Sequence, residues 1–298
     1  MNTYFIGTAL ATASLYMVSA TGNAICMKSG NINLGSEGQI YAGGFISALL
    51  LNFFARYNFT SAFAVFFALL SALLLSILVS AFISSISALL QHYRKASFLL
   101  TSFIVSAFII PLIDGLVTGP FRSKDSNLLA TDFIIENYRF PQILEPSTLS
   151  PFIFIAIALC LVGGLFIYKG NYGRKINIYG LAPDFSKYAG FSTGQIVLTS
   201  AVISGAMNGI TGFAAICGLY YSCHQGFYNG IGWNALSVAM IARLNPFLII
   251  PVSIFLAFAI NFADNFALFH NFDFDISGLI QGIIIFVIAI TEKKGRKK

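Results

Sequence analysis

The sequence predicts an all-α polytopic membrane protein: about eight spanning helices plus one half-span, re-entrant helix, organised as a single transmembrane domain over residues 1–298. Three observations carry this expectation. Charged residues make up 9% of the chain and hydrophobic residues 57%, with 31 phenylalanines, whereas an ordinary soluble domain carries roughly 25% charged residues. That balance excludes a soluble enzyme, a nucleic-acid binder and a disordered tail. The charges are also segregated, because residues 1–27, 57–93, 146–168, 188–242 and 244–263 contain none. Finally, the runs do not alternate polar and apolar residues in segments of about 10, as barrel strands would.

A helix needs about 20 apolar residues to cross the hydrocarbon core. Eight segments meet that need: 3–27, 38–55, 60–90, 96–118, 151–168, 194–219, 245–263 and 276–291. The third is longer than one straight span requires, which predicts tilt or an extension beyond the membrane. A further apolar piece, 233–243, is half the necessary length. Residues 1–5 carry no positive stretch of the kind that opens a cleavable signal, so the first segment is expected to remain as a span. The cysteines, Cys26, Cys160, Cys217 and Cys223, form no CxxC pair and read as small apolar fillers.

If each full span changes sides and the half-span dips inward, the N-terminus is expected outside and the C-terminus inside. Lys28, Arg94, Lys95, Lys169, Arg174, Lys175, Lys187, Arg243, Lys293, Lys294, Arg296, Lys297 and Lys298 then fall inside, 13 of the 17 cations. Arg56, Arg122, Lys124 and Arg139 fall outside. An excess of Lys and Arg on the cytoplasmic side favours this orientation. It also accounts for the net charge of +6 without nucleic acid; the basic tail TEKKGRKK reads as an anchor beside anionic lipid. Residues 119–150 become an extracytoplasmic segment, in which 128–138 could form a short amphipathic helix, and 169–193 a cytoplasmic loop.

Three places break the helical pattern: 29–39, 169–188 and 218–246, all rich in Gly, with Asn in each. Irregular backbone at membrane depth is tolerated only where protein buries it or where it lines a polar cavity, and such segments point to a transport path. GNINLG at 30–35 and GFYNGIG at 226–232 each precede a short apolar helix, a faint internal echo. Asn31, Asn33, Asn208 and Asn234 are therefore candidate path-lining residues, with Phe213 and Trp233 as possible ring contacts; Thr211 and Ser237 are further polar groups in these helices. Each of the polar side chains equally suits helix–helix hydrogen bonding. The aromatic residues equally suit an interfacial belt. Glu37 could bond the free N–H groups at the start of its own helix or take part in transport. His92, His224 and His270 are scattered, no metal site or catalytic residue is expected, and no GxxxxGK[ST] motif is present for ATP.

Two stretches carry a resemblance. Residues 30–45, GNINLGSEGQIYAGGF, resemble the NIGxEGQMxxGA signature of permease subunits of ATP-binding cassette importers, in the branch for simple sugars, purine nucleosides and related compounds. Residues 180–191, GLAPDFSKYAGF, are similar to the cytoplasmic GxNPxAARYAGI loop of the same family. Ala182 replaces the usual Asn, Phe185 and Ser186 replace the Ala pair, and the segment after the third span, KASFLLT, lacks the family's NEVI run.

The resemblance implies a multi-pass subunit of the bacterial cytoplasmic (inner) membrane. It assigns Gly180, Pro183, Asp184, Lys187, Tyr188 and Gly190 to ATPase coupling, and Gly35, Glu37 and Gly38 to a structural motif. It also implies no cofactor in this chain, with ATP hydrolysed by separate ATP-binding subunits. The other implied partners are a second, related but different permease chain, an extracytoplasmic substrate-binding lipoprotein and membrane lipid. A purine nucleoside or riboflavin is the expected solute, ahead of a sugar. A stand-alone secondary carrier is the alternative; a membrane-embedded enzyme is disfavoured by the few His, Asp and Glu within the spans.

Overall fold

The computed structural model describes residues 3–57, 61–124, 126–228 and 230–269, with Gly278 and Gly282. The last expected span, the basic tail and His270 lie outside the described residues. The helices are α1 (Thr3–Lys28), α2 (Ser36–Arg56), α3 (Ala62–Arg94), α4 (Phe98–Thr118), α5 (Phe152–Lys169), α6 (Asn171–Leu181), α7 (Pro183–Tyr188), α8 (Thr193–Ala215), α9 (Ile231–Ile241) and α10 (Pro246–Phe269). A π-helical turn, Ile216–Tyr220, continues α8. Among the described residues, seven helices are long and apolar enough to cross a membrane, and α9 is a shorter apolar helix.

Helices α1, α2 and α8 are mostly buried, and α3, α4, α5 and α10 present most of their surface outward. The sequence of α3 shows why it sits at the periphery. Ala68, Ala72, Ser76, Ser80, Ser84 and Ala88 recur every fourth residue and are buried, while Phe63, Phe66, Leu70, Leu74, Leu78 and Phe82 are exposed. Residues four apart share a helix face, so small residues point inward and large apolar ones toward lipid. The small face lies against α8. The hydroxyls of Ser76, Ser80 and Ser84 donate to the carbonyls of Gly209, Gln39 and Ala201, each at 2.7 Å. A Cβ on Gly209 would stand 2.6 Å from the Ser76 carbonyl oxygen, and one on Gly212 2.3 Å from that of Ile40 in α2. Small residues let backbones approach this closely where lipid supplies no hydrophobic drive between helices.

Segment 119–150 departs from expectation. In place of a helix over 128–138, the described residues hold one 3-10 turn, Glu136–Tyr138. Tertiary backbone bonds take up the groups a helix would have paired. The N–H groups of Thr131, Ile134 and Phe140 donate to Cys223, Tyr221 and Cys217 at 2.9, 2.8 and 2.9 Å, and Gln225 N–H donates to Leu129 at 2.9 Å. Ile134 and Tyr138 are fully buried beneath the segment.

Contacts between helix ends sort the loops into two groups. At one end, the Lys28 ammonium lies 5.5 Å from the Tyr168 ring centroid, Tyr168 stacks on Phe247, and Gly194 abuts His92. At the other, Arg56 pairs with Asp132 at 3.6 Å, Ala130 bridges His224, and Gly7 lies against Ser147. Lys28, Arg94, Lys95, Lys169, Arg174, Lys175, Lys187 and Arg243 thus belong to the first end, and Arg56, Arg122, Lys124 and Arg139 to the second.

The packing yields a contrast. Gly209→Leu forces α3 and α8 apart and should cost about 1–3 kcal/mol, as overpacking does. Gly115→Ala in α4, where a Cβ meets nothing within 4 Å, should leave stability unchanged or raise it by up to about 1 kcal/mol, because Ala favours the helix. Thermal melting of the two variants in detergent checks the difference.

Candidate functional site

The two irregular segments meet inside the bundle. After α1, the chain turns at Gly30 (φ +80) and runs inward along α8 before α2 begins. Ser29 Oγ lies 2.9 Å from Ser200 Oγ, Asn33 Nδ2 donates to Ser204 Oγ at 2.9 Å, and Gln39 Oε1 accepts from Asn208 Nδ2 at 2.8 Å. At 1.5 Å per residue, Ser204 is about 17 Å along α8 from Thr193, so α2 starts well within the bundle. From the opposite end, residues 226–228 descend along α2. Phe227 packs edge-on against Tyr41, ring centroids 5.5 Å apart, and a Cβ on Gly44 would meet the Phe227 ring at 2.4 Å. The segment reaches Gly230 (φ +78), where α9 begins.

Glu37 joins the two breaks. Its Oε1 accepts the Gly230 N–H at 3.0 Å, and a Cβ on Gly232 would stand 2.6 Å from Glu37 Cγ. The carboxylate therefore lies at mid-depth and serves the N-terminus of α9, whereas at the start of its own helix the Gly35 and Gly38 amides donate to Asn33 Oδ1 and Ser106 Oγ at 3.0 and 2.9 Å. The reason is geometric: residues 29–35 span the intervening depth as non-helical chain. Glu37 stands in the first turn of α2 and accepts from the amide that precedes α9, so the positive dipole ends of two helices lie beside one carboxylate. Asn33, Leu34, Ser36, Glu37, Gly232, Trp233 and Leu236 border a crevice at this junction that is too narrow to admit a water molecule. Trp233 is consequently interior and not part of a boundary belt.

A buried polar network extends from the junction. Ser36 Oγ and Ser204 Oγ donate to Asn23 Oδ1 at 2.9 and 3.1 Å, Asn33 Nδ2 donates to Gln39 Oε1 at 3.0 Å, and Ser19 Oγ donates to Asn208 Oδ1 at 2.7 Å. Asn33 and Asn208 thus share Gln39. Asn31 lies nearer the end of α1, accepting from Gln91 Nε2 at 2.9 Å and donating to Ser29 Oγ at 3.2 Å, and Asn234 Nδ2 donates to Tyr16 OH at 2.9 Å. Asn31, Asn208 and Asn234 are buried away from the crevice, and so is Phe213, whose ring packs edge-on against Phe140. Asn23 Nδ2 and Asn234 Oδ1 have no hydrogen-bond partner among the described residues. Sequence reasoning missed Asn23, Gln39, Tyr16 and Ser204. The available signal was their polarity within charge-free spans, at positions facing the irregular segments.

The loop at 169–193 forms a knob. Asn171–Leu181 and Pro183–Tyr188 are short helices separated by Ala182, with Pro183 in the first turn of the second. Gly180 lies so close to the end of α1 that a Cβ would overlap the Lys28 carbonyl oxygen at 2.0 Å. At Gly190 the backbone turns with φ +75, and Phe191 N–H returns to the Ser186 carbonyl at 2.9 Å. Asp184 and Lys187 pair across the exposed face at 3.4 Å. Leu181, Phe185 and Tyr188 project outward, 88%, 61% and 92% exposed.

Crossing helices, two of them broken at mid-depth around a polar junction, define a multi-pass membrane permease. Comparison with known proteins places the chain within that class. Residues 5–289 match the family described as the branched-chain amino acid transport system / permease component, and the chain belongs to that family. It is 31% identical over 245 residues to the probable riboflavin import permease protein of Treponema pallidum, covering 82% of this chain and 63% of the relative. It is 23% identical to the guanosine ABC transporter permease protein of Bacillus subtilis, covering 80% and 67% of the two chains. The nucleoside ABC transporter permease protein of Lactococcus lactis subsp. cremoris is 25% identical, with 81% and 67% covered. The chain therefore spans about two thirds of the length of these curated relatives, and slightly less of the first.

Removing the joining carboxylate tests the junction. Glu37→Ala strands the half-buried Gly230 amide and should cost about 1 kcal/mol, read as a lower melting temperature in detergent. Glu37→Gln retains an acceptor and should recover most of that loss.

Proposed function

We propose that this chain is the transmembrane permease subunit of an importer driven by ATP hydrolysis. Its solute is a small polar heteroaromatic compound, riboflavin or a purine nucleoside, and ATP is hydrolysed by separate subunits. A second, related permease chain completes the path, and an extracytoplasmic lipoprotein delivers the solute. Family membership and the printed functions of the relatives support the class and the solute. The path is assigned to the junction of the broken segments, with Asn33 and Trp233 at its crevice and Asn31, Asn208, Phe213 and Asn234 behind it. Behind the crevice, Asn23 Nδ2 and Asn234 Oδ1 have no partner among the described residues; neutral amides of this kind suit a polyol that must be bound and still released.

The observation that carries the coupling is the exposed apolar tip of the knob. Leu181, Phe185 and Tyr188 stand at the end bearing eight of the twelve described cations named above, where the rule for orientation places the cytoplasm. Apolar groups presented on a compact, tethered knob suit a cleft in a separate ATPase. Gly180 and Lys28 give the knob a rigid link to α1, so closure of the ATPase would move the bundle as a body.

Replacing Phe185 and Tyr188 together by Asp should lower ATP-dependent uptake at least tenfold, as loss of interface anchors worth about 2 kcal/mol each implies, while membrane insertion stays normal. Uptake and ATPase assays on the assembled complex check this; coupled uptake at the original rate would refute the docking role. Orientation has its own test. The native cysteines are buried, so Gln142→Cys and Arg174→Cys can be labelled against a low background. An impermeant thiol reagent applied to intact cells should modify position 142 and spare position 174.

A further inference from the structure

One cavity lies far from the junction, at the end where α2 finishes. It measures about 750 Å³ and lies between α2, α3 and the start of segment 119–150. Its lining divides by chemistry. Ile46, Leu49, Leu50, Phe53, Leu75 and Phe121 form an aliphatic and aromatic interior, and Arg56, Arg122 and Lys124 stand with Asp132 where α2 ends. The single lining carboxylate is occupied, because Asp132 pairs with Arg56 at 3.6 Å. Among the described residues no carboxylate pairs with Arg122 or Lys124; Arg122 Nη2 makes one long contact, 3.4 Å, to the Asn127 carbonyl. The neutral polar groups are also committed. Asn52 Nδ2 donates to the Asp132 carbonyl at 2.8 Å, and Thr131 Oγ1 accepts from Cys223 N–H at 3.1 Å.

We propose that this cavity holds one anionic phospholipid, its phosphate against Arg122 and Lys124 and an acyl chain in the apolar interior. Three features select that occupant. The net positive rim asks for an anion. The interior is mainly aliphatic and aromatic, and among the described lining residues the Asn52 amide nitrogen and the Thr131 hydroxyl are already engaged, which disfavours a nucleoside or flavin with its hydroxyls and ring nitrogens. The dimensions also fit: Ile46 lies ten residues before Arg56 in α2, about 15 Å along the axis, which is half of the roughly 30 Å hydrocarbon core. The cavity therefore runs the depth of one leaflet, from a charged headgroup level to the bilayer interior. Beyond Leu75, exposed Leu78 and Phe82 continue the apolar surface along α3. A lipid seated here would bind segment 119–150 to α2 and α3.

The test is native mass spectrometry of the purified protein equilibrated with equimolar phosphatidylglycerol and phosphatidylcholine of the same acyl length. The intact protein should retain phosphatidylglycerol preferentially. Each cation at a lipid surface contributes about fivefold, so Arg122→Gln with Lys124→Gln should cut the preference about 25-fold. Leu50→Trp, which fills the interior and leaves the cations, should reduce retention of both lipids. High salt should weaken the preference of the unaltered protein, which keeps the proposal testable if the double variant does not fold. Unchanged preference in the double variant would overturn the assignment. So would displacement of the lipid by glycerol 3-phosphate as readily as by phosphatidylglycerol, which would mark a site for free phosphate. Crosslinking of Phe53→Cys to a second protein chain in native membranes would instead make the cavity a protein interface and also overturn it.

Discussion

The hydrogen bond from the Gly230 amide to the Glu37 carboxylate, 3.0 Å long, is the contact on which the centre of this protein depends. A bilayer core has no water to satisfy free backbone groups, yet α2 and α9 both begin at depth. Each beginning leaves unpaired amides and a positive dipole end. The Glu37 carboxylate takes the amide that precedes α9, while Asn33 and Ser106 take amides at the start of α2, which gives a half-buried acid a place in so apolar a chain. The glycines around it follow from the same need. Gly232 leaves room for the Glu37 side chain, and Gly230 supplies the positive φ that turns the chain into α9.

Around that centre, helices are held by close approach and shared hydrogen bonds rather than by bulky apolar packing. The Ser and Ala face of α3 meets the Gly face of α8, and serine hydroxyls reach carbonyls of the facing elements. Asn23, Asn33, Gln39 and Asn208 then tie α1, α2 and α8 through one buried network. Interhelical polar contacts in membranes contribute modestly one by one, about 0.6 kcal/mol on average. Their number here and their concentration on the three inner helices make them the means of specifying a single arrangement, while the large side chains of α3 and α4 face lipid.

The two ends of the bundle carry different devices. One presents the knob of α6 and α7, fixed to α1 where Gly180 touches the Lys28 carbonyl. The other is covered by segment 119–150, whose backbone pairs with residues 217–225. Between them, α1 and α8 run the full depth and contact both the junction and the knob. The knob is thereby joined through α1 and α8 to the helices that frame the crevice.

Charge-free length and composition were sufficient to locate every described spanning helix to within a few residues, because the hydrocarbon core imposes one length and one polarity on any span. The half-length of α9 and the glycine-rich breaks were likewise legible, since too few apolar residues cannot cross. The sorting of cations to two ends followed from counting spans. What the linear pattern did not contain was which groups meet. Glu37 serves a helix that begins nearly two hundred residues later, Asn33 and Asn208 bond through Gln39, and Phe213 packs on Phe140. Segment 128–138 has the look of an amphipathic helix, but backbone bonds to residues 217–225 override that local preference. Those outcomes depend on partners distant in sequence, and only the packed bundle brings them within hydrogen-bonding reach.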